Sequence, residues 1–226
     1  MTAVLWANLG GQELGPALVD ILYGDVNPSG RLVYTIAKDV ADYVQAEVIS
    51  EPQPHPQLNY TEGVLVDYRR FEALGVEPRF WFGHGLSYSE FSYGEPEVKT
   101  APGLAAAVET PIEYVADAPG GDTKMYDLVV YVMVNITNLG PFDGTEVVQL
   151  YVEMPEEAGN IVKILRGFEV VKIRDGETLP VAIQMTRKDI SYWSVVKNTW
   201  ITPRGLFTIK VGASSKDIRA VATFEI

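Results

Sequence analysis

The side chains able to do covalent or metal chemistry are few. The 226 residues contain no cysteine, which excludes disulfides, zinc–thiolate sites, iron–sulfur clusters and a thiolate nucleophile. Two histidines, His55 and His84, are the only imidazoles for a Ser-His-Asp triad or a histidine-rich metal site. His55 lies between Pro54 and Pro56 with no acidic neighbour, the setting of a solvated loop histidine. His84, within Phe80-Trp81-Phe82-Gly83-His84-Gly85, reads as a hydrogen-bonded packing residue. Gly10-Gly11 followed by Gly15 fits neither a dinucleotide fingerprint nor a P-loop, and no lysine follows, so a tight turn into a helix is the reading. No metal and no cofactor are called for. Asn59-Tyr60-Thr61 and Asn135-Ile136-Thr137 are N-glycosylation sequons, while Pro28 excludes Asn27. Asn59, in a polar loop, is the better acceptor; Asn135 sits within a strand, on the face opposite Val134 and Ile136.

Composition narrows the partners. Eighteen basic against thirty acidic residues leave a net charge of −12. Such a surface repels phosphate backbones and anionic headgroups, arguing against nucleic-acid and membrane-surface roles. No apolar run approaches the roughly 20 residues that span a bilayer. With 47% hydrophobic and 21% charged residues the chain is globular, long enough for one large domain or two small ones. The first residues lack a basic region followed by an apolar one, so no signal peptide is visible. A chain that starts in mid-sheet reads as a piece of a longer one.

The patterning divides the chain into residues 1–90 and 91–226. In the first part, residues 3–8 form an apolar run suited to a buried strand. Leu14, Ala17, Leu18, Ile21 and Leu22 then fall at helical spacing, with Gly24 placed to end the helix. Asn27-Pro28-Ser29-Gly30 is a turn, and residues 31–36 resume as a strand. This is a partial α/β layer, too little to close a sheet. The aromatic-rich stretch 68–93 reads as a packed crossover. From residue 91 the period becomes two: Leu128, Val130, Val132, Val134 and Ile136 alternate, as do Val148, Leu150 and Val152. Similar runs at 91–98, 161–171, 179–185, 207–211 and 218–226 give about seven strands of an antiparallel β-sandwich. Residues 100–124, rich in alanine, proline and glycine, read as a flexible segment.

Three groups of residues, in order along nearly the whole chain, resemble the C-terminal part of glycoside hydrolase family 3, especially its secreted fungal β-glucosidases. The first is Gly11-Gln12-Glu13 with Gly15, continuing to Asp20 and Gly24-Asp25-Val26-Asn27-Pro28-Ser29-Gly30-Arg31. The second is Thr61-Glu62-Gly63, Asp67-Tyr68-Arg69-Arg70-Phe71 and Phe82-Gly83-His84-Gly85-Leu86-Ser87-Tyr88. The third is Leu165-Arg166-Gly167-Phe168-Glu169, residues 186–193 and Val211-Gly212-Ala213-Ser214-Ser215-Lys216-Asp217-Ile218. Leu14 departs from the pattern, where a small residue is usual. The resemblance implies the end of an α/β sandwich domain followed by a fibronectin type III-like domain, with a (β/α)₈ barrel missing upstream.

It also implies an enzyme whose chemistry lies elsewhere. Retaining glycosidases place a nucleophilic carboxylate and an acid/base carboxyl about 5–5.5 Å apart. In the family both precede the region matched here, so no catalytic residue is carried over and the substrate-binding residues stay unknown. Local acids offer weak substitutes. Glu13 belongs at a helix N-terminus, Glu62 and Asp67 would face opposite sides of a strand, and Asp67 pairs more simply with Arg69. The implied parent activity is retaining hydrolysis of terminal β-D-glucosyl residues from β-glucosides or cello-oligosaccharides, in a secreted glycoprotein. A β-xylosidase, or a non-catalytic sandwich that packs or binds carbohydrate, are the alternatives. Trp193 and Trp200 are expected in the core, and the stripe of Leu14, Leu18 and Ile21 is expected to lie uncovered.

Overall fold

The structure, a computed structural model, describes residues 4–43, 54–55, 59–109, 122–159 and 162–226. Helix α1 spans Leu14–Tyr23 and ends at Gly24, whose φ of 86° is the left-handed conformation that lets the chain turn away. None of its residues is buried: along the apolar stripe Leu14 and Leu22 are exposed, while Leu18 and Ile21 are half-buried, so the stripe is only partly uncovered. Two expectations for this part fail. Residues 4–8 form no strand, and Ala3 lies outside the described residues. A strand needs a neighbour for its backbone groups, and no described residue pairs there. Residues 31–36 run beside 80–84 with only one bridge, Ile36 to Phe80, flanked by a Leu32–His84 backbone bond of 2.9 Å. Helix α2, Tyr68–Ala73, buries Tyr68 and Phe71.

From residue 91 onward two antiparallel sheets face each other. In one, β3 (Leu128–Asn138) pairs along one edge with β1 (Phe91–Tyr93) and β2 (Glu97–Thr100), and along the other with β6 (Thr178–Thr186). The second has the order β10 (Ile218–Glu225), β9 (Leu206–Gly212), β4 (Gly144–Glu153), β5 (Ile164–Ile173). Among the described residues the seven expected strands become ten. The first splits at Gly94-Glu95-Pro96, where proline has no N–H to donate. A small hairpin, β7 (Tyr192–Ser194) and β8 (Thr199–Ile201), is added.

Alternating residues fill the space between the sheets: Val132, Val134 and Ile136 meet Leu150, Ile183 and Ile209, each 3% exposed or less. Leu128 does not join them, at 43% exposed. A register shift between Leu128 and Val130 inserts one residue, and a one-residue slip turns a side chain to the other face. Part of the stretch expected to be flexible folds: helix α3, Leu104–Ala107, buries Leu104 in the core, while residues 110–121 lie outside the described residues.

Candidate functional site

A polar seam forms where Asn27, Arg31, Tyr68, residues 82–84 and residues 87–89 lie against the sandwich. Arg31, in the extended segment before Ile36, reaches Glu146 of β4: Nη2 stands 2.7 Å from Oε2, and the side chains are only 9% and 2% exposed. The Tyr93 hydroxyl donates to the other Glu146 oxygen at 2.7 Å. Burial, reinforced by the Glu146 charge, holds that phenol far above its ordinary pKa. Arg219 lies over the Tyr93 ring at 5.1 Å and is itself clamped by Asp217.

Further along the seam the contacts become aromatic and amide-like. The Tyr68 ring packs 5.0 Å from Phe82 and edge-on to Tyr151 at 5.9 Å, while its hydroxyl accepts the Leu165 N–H at 2.9 Å. Gln149, 3% exposed, donates to the carbonyls of Gly83 and Ala213 and accepts the Tyr151 hydroxyl at 2.6 Å. Gly83 has a φ of 81°, which favours glycine, and a Cβ there would stand 2.1 Å from the Gln149 side-chain oxygen and push that amide out of place. The Ser215 N–H bonds the Phe82 carbonyl at 2.9 Å. Asn27 ties the turn at 87–89 to the chain near Asp143, through Ser87 at 2.8 Å and the Asp143 carbonyl at 3.1 Å. Phe82-Gly83-His84 and Ala213-Ser214-Ser215 are thus two sides of one contact.

The acids considered as catalysts are not assembled into a pair. Glu13 precedes α1 and makes no side-chain cap; its carboxylate is met by the Gln12 amide. Glu62 lies in a turn rather than a strand. Asp67 does not pair with Arg69. Its carboxylate accepts the Thr35 N–H at 2.9 Å, the Thr35 hydroxyl and the Tyr68 N–H, holding Asp67 at a φ of 52° that a non-glycine residue seldom adopts. Arg69 instead donates to the Val66 carbonyl. His84 stacks on Phe80 at 5.3 Å, a packing role; burial first and the Arg31 charge second lower its pKa. His55 is exposed. Among the described residues no cluster of three or more His, Asp or Glu is arranged to hold a metal. No described helix is long and apolar enough to cross a membrane.

Asn59 and Asn135 are both exposed. Trp193 is not a core anchor: it is 42% exposed, edge-to-face with its cross-strand partner Trp200 at 5.8 Å, and Trp200 is half-buried. Sequence reasoning passed over Arg31, Glu146 and Gln149. Glu146 had a signal: it occupies the same strand face as Val148 and Leu150, where a charge must have a partner.

Residues 1–88 match the glycosyl hydrolase family 3 C-terminal domain, and residues 146–215 a fibronectin type III-like domain. The chain carries the C-terminal domain of glycoside hydrolase family 3, followed by a fibronectin type III-like domain. It corresponds to the family's C-terminal part. Probable beta-glucosidase D of Aspergillus niger is 45% identical over 226 residues, all of this chain and 29% of that protein. Probable beta-glucosidase L of Aspergillus fumigatus is 41% identical over 99% of this chain and 29% of its own length. Among solved structures, the beta-D-glucoside glucohydrolase of Trichoderma reesei superposes with a TM-score of 0.86 at 39% identity, over 97% of this chain and 30% of the other. Beta-glucosidase D2-BGL of Chaetomella raphigera gives 0.84 at 40% identity, over 97% and 29%. The chain therefore spans less than a third of the length of each of these four relatives.

Proposed function

We propose that this chain is the C-terminal portion of a retaining β-glucosidase and serves it as scaffold. The observation that carries this reading is the 45% identity to a probable beta-glucosidase along the whole chain but only 29% of that protein. The nucleophile and the acid/base then lie upstream, on a barrel and the earlier part of the α/β domain, and remove terminal β-D-glucosyl residues from β-glucosides or cello-oligosaccharides. Residues 1–90 complete that α/β domain and 91–226 form the fibronectin type III-like domain. The partly uncovered stripe of α1 is the surface the upstream part covers. Arg31, Glu146, Gln149 and Tyr68 hold the two parts in one orientation, so that the pocket wall is fixed when substrate arrives. The protein acts outside the cell and carries N-glycans at Asn59 and Asn135.

The test uses the polypeptide in which this chain follows an upstream barrel. With a p-nitrophenyl β-D-glucoside, NMR should show β-glucose as the first-formed anomer, and turnover should exceed that on the β-xyloside. α-Glucose first, or preference for xylose, contradicts the reading.

A further inference from the structure

Along the open face of the β3 sheet, three side chains point outward in sequence: Tyr131 and Met133, 40% and 48% exposed, and then Asn135. Exposed thioether and phenol rings on a central strand are uncovered apolar surface. The strip is narrow. Met133 is flanked by Glu97 and Ala182 and Tyr131 by Lys99 and Gln184, and Glu97 and Lys99 are 73% and 79% exposed. Two side chains, each with a charged neighbour on one side, fall far short of the roughly 1,200 Å² that a stable protein interface buries.

The surroundings of Asn135 differ from those of the strip. One cross-strand neighbour is Pro180; on the other side Gly94 donates its N–H to the Asn135 carbonyl at 2.8 Å. A Cβ on Gly94 would stand 3.6 Å from the Asn135 Cβ, so the glycine leaves the base of that side chain clear. Successive same-face residues are about 7 Å apart along a strand, which places Met133 and then Tyr131 under the first sugars of a chain rooted at Asn135. The apolar face of an N-acetylglucosamine can lie on the thioether and the ring, while Glu97, Lys99 and Gln184 are within the border that meets its hydroxyls and amides.

We infer that the N-linked glycan of Asn135 folds back along β3 and covers Met133 and Tyr131, shielding the open face of the sheet. This rests on the proposed glycosylation of Asn135. The test is the rate of Met133 oxidation by dilute hydrogen peroxide in the full chain secreted from a fungal host, read by peptide mass spectrometry. The same map reports occupancy of Asn135, and half-buried Met154 is the internal reference. Met133 should oxidise several-fold more slowly in the glycosylated chain than in Asn135→Gln or Thr137→Ala, with Met154 unchanged. Enzymatic removal of the glycan from the folded chain should raise the Met133 rate without any substitution. An occupied Asn135 with no difference in Met133 rate overturns the shielding and leaves the glycosylation standing. An unmodified Asn135 overturns both. Met133 protected in every form overturns it too, and gives the strip to another occupant.

Discussion

Arg31 and Glu146, 115 residues apart, form a nearly dry ion pair at 2.7 Å across the seam between the helix-bearing part and the sandwich. Glu146 also accepts the Tyr93 hydroxyl, so its carboxylate has a partner on each oxygen. Removing one member of a buried pair strands the other charge, at a cost of about 3–5 kcal/mol. Arg31→Met should therefore lose about that much in urea unfolding. Adding Glu146→Gln should recover a good part, because the amide is neutral and still accepts from Tyr93. A single variant within about 0.5 kcal/mol of the parent, the range of an ordinary surface change, contradicts the seam assignment.

His84 gives the seam a pH dependence of known sign. Burial and the Arg31 guanidinium lower its pKa from the ordinary 6.5, with Asp217 opposing them. The unfolded chain then binds the proton more readily than the folded one. Stability from neutral His84 is full above about pH 6.5 and declines as the pH falls toward the lower folded value. Urea titrations from pH 8 to pH 5 should show this decline, and His84→Gln should flatten it. An equal slope in the variant contradicts the assignment.

Trp193 and Phe207 should part company on truncation. Phe207 is fully buried and stacked on Phe224 at 4.8 Å, so Phe207→Ala should cost roughly 3–5 kcal/mol. Trp193→Ala should lose chiefly its edge-to-face contact with Trp200, about 0.5–1.5 kcal/mol. Equal losses in thermal unfolding would return Trp193 to the core.

Asn59 is exposed, its carbonyl accepting the Thr61 N–H in a turn. Mass spectrometry of the chain secreted from a fungal host should find glycan there, and an unmodified Asn59 contradicts its assignment as an acceptor.

What could be read from the sequence was what repeats locally. The α1 stripe and the period-two strands β3, β4, β6, β9 and β10 follow from spacing alone, because each element's own backbone sets its period. Long-range pairing was not readable. Thr35 satisfies Asp67 from 32 residues away, and nothing near Asp67 announces it; the adjacent Arg69 suggested a false partner. The Leu128 slip is one extra residue, invisible to a periodicity count. Trp193 sits in a short hairpin whose mixed composition does not say which face is covered. Residues 4–8 are apolar enough for a strand, but pairing requires a neighbour that local patterning cannot supply.

Turnover of an aryl β-D-glucoside by the purified chain tests most directly the proposal that it supports a catalytic site without containing one. Both carboxylates of a retaining pair and the pocket around them are required for rate, so the expected result is no release above a heat-killed control. Activity that survives repurification and disappears in Glu62→Gln or Asp67→Asn would contradict it, and would place the chemistry within these 226 residues.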